Sequence, residues 1–270
     1  MTTVELISNY WHFNIFSTVI AFLFLLIHLI GNRWKLNKQS LFFFSGLFIF
    51  VVATLSPLDF LAESYLFTAH MIKHIMLLLI VPPLLLSGMN AAYMEKFVRR
   101  KGIKNITNIL FNPVIAWFCG IGAMWIWHIP GLLASVKILG FLQPIHLISL
   151  LFLGLIFNWP VFSPVPWHKL NPLPAALYLF TACVGCTVLG IFITFAPPAL
   201  YTVYFKGDNV AVLKLLRDGW NISAETDQEA GGLIMWVPAC MIYLTDIMIS
   251  LAKWYRSSDT GDQDNNLSMM

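Results

Sequence analysis

His70 and His74 stand four residues apart at the head of HMIKHIMLLLIVPPLLLSG, residues 70–88. On an α-helix that spacing puts both imidazoles on one face, about 6 Å apart along the axis, so a single metal ion can take both. Imidazole suits copper, zinc, iron or nickel, and a thioether favours copper in its reduced state. Met71, Met124 and Met235 lie at similar depth in their apolar segments. His146 and His128 sit at the ends of two further segments. The chemistry these types support is a copper site: His70, His74 and His146 as ligands, His128 and Met235 as fourth or relay ligands, and Asp227 as an acceptor behind them or an acid that recruits cations. The plainer alternative is that each histidine hydrogen-bonds a neighbouring helix. It fits His12 best, which adjoins Trp11 in a belt position. His128, in WIWHIPG, divides between a helix-end cap ahead of Pro130 and a ligand.

Lys73 complicates the pair. An ammonium aimed at the same point would weaken metal binding, so it must snorkel outward or pair with an acid, for which Asp59, Glu63 and Asp227 are candidates. Cys183 and Cys186, in CVGC, fall in the middle of an apolar segment beside Gly185 and Gly190, where they read as small packing residues rather than ligands. Asp246 is open between a polar contact and a proton site. Pro82, Pro83 and Pro238 kink their segments and release backbone carbonyls that need other partners.

The elements that must position these groups are membrane helices. Of the 270 residues, 59% are hydrophobic and only 11% charged, and mean hydropathy is +0.76; soluble domains carry roughly 25% charged residues. An all-α bundle of seven transmembrane helices is expected, with spans over 10–30, 41–56, 67–88, 112–128, 141–162, 173–196 and 231–251. Residues 1–256 form one domain, and 257–270 a polar, disordered cytoplasmic tail. The connection 197–230 contains VAVLKLLRDGW, which reads as a short interfacial helix. Eleven Lys and Arg fall on one side of the spans and four (Lys137, Lys206, Lys214, Arg217) on the other. By the positive-inside rule the N-terminus is outside and the C-terminus cytoplasmic. This topology puts His12, His70, His74, His128 and His146 at outer ends, and only His28 and His168 toward the cytoplasm.

Net charge is +3, with the basic residues scattered over short connections, so nothing points to nucleic acid. The four cysteines all lie in apolar segments and form no disulfide framework. The chain offers no nucleophile with base and oxyanion partners and no phosphate loop, which argues against an enzyme. No cleavable leader is expected at its start.

Six motifs in order, TLSPLDFLA, HMIKHIMLLLIVPPLLLSG, WIWHIPGLL, IHLISLLFLGLIFNWPV, FAPPALYTVY and DQEAGGLIMWVP, resemble the CtaG-like cytochrome c oxidase assembly factors associated with caa(3)-type oxidases. This is a different family from the soluble-domain copper chaperone of the same name. The resemblance runs from the second span to the seventh. It implies a multi-pass protein of the bacterial plasma membrane that matures a haem-copper oxidase, a subunit of which would be its partner, through copper delivery. The family's His pair falls on His70 and His74, its Trp-His-x-Pro on Trp127, His128 and Pro130, its later histidine on His146, and its final motifs on Asp227, Gln228, Met235 and Trp236. Lys73 replaces an uncharged residue, and Asn158 stands where an aromatic is usual. Two rival readings remain: a haem-binding redox protein with axial histidines such as His74 and His146, and a copper transporter in which Asp246 and the Cys pair continue a path inward.

Overall fold

A computed structural model describes residues 1–197, 200, 201, 204 and 207–268, with side chains described as far as residue 257. Lys206, and Pro198, Ala199, Thr202 and Val203 of FAPPALYTVY, lie outside the described residues. So do the side chains of the tail beyond 257.

Among the described residues every regular element is helical. The helices are α1 (Thr3–Asn9), α2 (Ile15–Gly31), α3 (Lys38–Leu55), α4 (Pro57–Ser64), α5 (Phe67–Gly88), α6 (Ala91–Val98), α7 (Ile103–Leu110), α8 (Pro113–Trp127), α9 (Pro130–Ile138), α10 (Leu142–Phe162), α11 (Pro172–Thr194), α12 (Val210–Lys214) and α13 (Ala224–Ser268). Their starts follow local chemistry. Thr2 and Glu5 form a reciprocal capping box on α1, Ser56 caps α4 ahead of Pro57, and Asn112 caps α8 ahead of Pro113, each supplying an acceptor for N–H groups that the helix leaves free. α12, extended by a π-turn over Leu215–Gly219, falls within the expected interfacial helix.

Among the described residues five helices are long and apolar enough to cross a membrane: α3, α5, α10, α11 and α13 as far as residue 257. α7 and α8, bent by 65° at their junction, make a sixth if they act as one span. α2 has 17 residues, which at 1.5 Å per residue falls short of the roughly 30 Å hydrocarbon layer. Its outward face is nonetheless apolar, with Phe16, Val19, Phe22, Leu23 and Ile30 all exposed. The protein is a multi-pass helical membrane protein.

α5 is the central element. It packs against α3, α4, α10 and α13, and its buried residues are shared among four apolar clusters. Gly154 lets α10 approach so closely that a Cβ there would sit 2.9 Å from Pro82 and 3.1 Å from the α5 backbone. Below the histidines α5 carries a π-turn over Met76–Ile80 followed by Pro82 and Pro83. Pro82 cannot donate to the Leu78 carbonyl four residues back. Asn158 of α10 does so instead, giving its side-chain N–H to Leu78 O at 2.9 Å and to Gly154 O at 2.9 Å. The residue where an aromatic was expected repairs the break that the proline makes. Cys186 of α11 donates its thiol to Met235 O of α13 at 3.2 Å, one turn before Pro238, and Cys183 faces Cys240.

Candidate metal centre

The start of α5 is fixed from the far end of the chain. Both carboxylate oxygens of Asp227, in the first turn of α13, accept backbone N–H groups of α5: Phe67 N at 2.6 Å and Thr68 N at 3.0 Å. The Thr68 hydroxyl returns a bond to Asp227 O at 3.0 Å. Asp227 therefore caps the helix that carries His70 and His74 and is buried there, matching its charge to the positive end of the helix dipole.

One turn further on, His70 and His74 face the same way, with ring centroids 4.3 Å apart. His146 reaches them from the first turns of α10. Its ring is stacked 5.5 Å from His70 and lies 5.0 Å from His74, and its Nε2 is 3.1 Å from His74 Nε2. One ligand nitrogen from each of the three residues can be chosen so that all lie within 4.8 Å of one another. All three rings are buried, and His70 Nε2 and His74 Nδ1 have no hydrogen-bond partner among the described residues. A buried imidazole nitrogen left unpaired costs about 1–3 kcal/mol, and here two lie in one cluster. A cation held among the three rings has imidazole lone pairs within reach from each of them, so the residues fit a metal of the type that imidazole prefers.

His128 borders this group but is engaged elsewhere. Its ring is 5.1 Å from His74, its Nδ1 contacts Met124 O at 2.5 Å, and its Nε2 contacts Met71 Sδ at 3.2 Å. Tyr201 donates its hydroxyl to the His128 carbonyl at 2.9 Å. Met235 is buried in the same apolar cluster as Met71 and Met124. Trp127 meets the His146 ring edge to face at 4.7 Å, and Tyr204 lies 5.6 Å from His70.

The ammonium of Lys73 turns away from the histidines and pairs with Asp59, whose other oxygen takes the His12 ring at 3.0 Å. Burial alone would push the Asp59 carboxyl up, but Lys73 and His12 together hold it below its ordinary value. The hydrogen bond to Asp59 raises His12 in turn. Lys137 on α9 donates to Ala62 O at 2.6 Å and to Glu63 O, closing the carbonyl end of α4. Burial, reinforced by Lys73, pushes its ammonium down to about 7. The sequence reading passed over Lys137 and Tyr204 as parts of the site. The only signal for Lys137 was its place as a basic residue on the side of the membrane where such residues are few.

A family model described as cytochrome c oxidase caa3 assembly factor (Caa3_CtaG) matches residues 20–257. The chain belongs to that family. No curated protein and no solved structure matches it. The matched stretch of this caa3 assembly factor holds every residue of the histidine cluster. It also holds Gln228, which donates to Ala196 O at 3.2 Å and Pro197 O at 3.3 Å, and Trp236, which packs on Gly190.

Proposed function

We propose that this caa3 assembly factor binds copper near the outer face of the bacterial plasma membrane and passes it to a subunit of the maturing haem-copper oxidase. The observation that carries the reading is the trio His70, His74 and His146, buried together with two nitrogens unpartnered. Copper is cargo here, and the chain's own residues do the rest. Asp227 and the α4–α5 corner set the register of His70 and His74, Trp127 braces His146, and the Asp59 pair draws the Lys73 charge aside. His128 and Met71 stand next to the trio as a nitrogen–sulfur pair, the donor combination that suits reduced copper in transit. Asp227 serves this reading as a positioning residue, through α5.

The membrane arrangement belongs to the same proposal. Seven segments cross, with α2 as the first and the bent α7–α8 region supplying the fourth, the N-terminus is outside and the C-terminus cytoplasmic. The charge asymmetry of the connections supports this. We assign no catalytic step to the protein. A haem reading gains no support from His74 and His146, because nitrogens 3.1 Å apart leave no slot for a macrocycle between them.

His70→Ala and His74→Ala test the proposal. Each is expected to lower copper in the purified protein and the yield of mature oxidase together. Full copper and full maturation in both variants would refute it. Uptake of copper into sealed vesicles would favour transport instead.

A further inference from the structure

Beside the histidines lies a cavity of about 470 Å³. Its wall takes in His70 and His146 but not His74 or His128, so it meets the trio from one side. The other lining groups come from α2, α4, α5, α9 and α10 and from the turns before α2 and α10, among them Glu63, Lys73, Lys137 and Gly140. Two ammonium groups at the wall should repel a metal ion, yet neither presents a full free charge. Lys73 is neutralised by Asp59. Lys137 is tied to the α4 carbonyls of Ala62 and Glu63, with its Nζ 4.7 Å over the Tyr204 ring. The carboxylates divide in the opposite way. Asp59 is 1% exposed and is taken up by the Lys73 ammonium and the His12 ring, whereas Glu63 is half-buried and forms no ion pair among the described residues.

We propose that this cavity is the route by which a cation reaches the histidines, with Glu63 as the first charged ligand it meets and His70 and His146 as the groups that receive it. Oxygen from a carboxylate holds copper more loosely than clustered imidazoles do, so the ion moves toward tighter ligands as it moves inward. The inference rests on the copper reading above and adds a path and a residue to it.

Two substitutions separate path from site. Glu63→Gln removes the charge and keeps the shape. Gly140→Trp adds bulk to the wall at a position where an added Cβ meets no atom within 4 Å. Copper(I) is supplied to the purified full-length protein from its coloured bicinchoninate complex, and loss of colour is followed in time. Each variant is expected to load about tenfold more slowly, the scale on which local charge and access change on-rates, and to reach the wild-type copper content at the end. Glu63→Gln loading at the wild-type rate overturns the role of Glu63, and Gly140→Trp doing so overturns the route. A wild-type protein that takes no copper overturns the site itself, and with it this path.

Discussion

Asp59 holds the Lys73 ammonium and the His12 ring at once, and a lone buried charge on either side of the Lys73 pair is what makes it indispensable. Its side chain is 2% exposed and that of Lys73 13%. Attraction between buried partners only offsets the cost of drying them, but removing one strands the other, at about 3–5 kcal/mol. Asp59→Asn leaves Lys73 without its acid and is therefore expected to lower thermal stability markedly in detergent, while Lys73→Gln leaves Asp59 its His12 contact, costs less and leaves copper content unchanged. Equal melting of the two variants would contradict this. The His12 contact adds a pH dependence of definite sign. Because Asp59 raises the folded value of His12, the contact is fully present below about pH 6.5 and is lost as pH rises through the raised value. Protection of the amides of α1 and residues 10–14 against exchange, corrected for intrinsic rates, should fall with rising pH; protection that stays flat would contradict the link. The Lys73 pairing was readable in sequence as a requirement, since an ammonium beside two imidazoles needs an acid. Which of Asp59, Glu63 and Asp227 supplies it was not, because all lie on the same side and only the fold of α4 onto α5 chooses.

At the scale of elements, α5 is a helix with its break repaired by a neighbour. Asn158→Ala leaves the Leu78 carbonyl without its outside donor and should destabilise the protein by about 1–3 kcal/mol. A variant as stable as the wild type would mean that the π-turn satisfies the carbonyl alone. The prolines announced the break in sequence. The repair was hidden, since it joins residues 80 positions apart on helices whose apolar faces carry almost no directional pattern. Asp227 belongs to this scale as well. The sequence placed it near the site as an acceptor or a recruiting acid; the structure puts both its oxygens on the first turn of α5. Asp227→Ala should lower stability by about 0.5–2 kcal/mol and weaken copper retention as His70 and His74 shift, whereas a variant that loses neither would reduce Asp227 to a surface acid.

Over the whole molecule, composition alone made the membrane class plain, and the pattern of apolar runs located α3, α5, α8, α10 and α11 to within three residues at each end, whereas α2 starts five residues later than expected and α13 runs past both expected ends. The count was harder. The first segment folds as a helix of 17 residues and the fourth is continued by a helix bent away by 65°, so length and hydropathy alone credit five or six spans rather than seven. Proposed topology is tested from outside the cell. With a membrane-impermeant maleimide, Asp208→Cys before α12 should label on intact cells and Leu36→Cys after α2 only after lysis. The reverse pattern would invert the topology and carry the histidine cluster to the cytoplasmic side.

The account stands or falls on copper held by nitrogen. X-ray absorption at the copper edge of gently purified protein is expected to give a shell dominated by imidazole, diminished in number or lost in the His74→Ala variant. Protein without copper, or copper bound mainly by sulfur and indifferent to loss of His74, would contradict it.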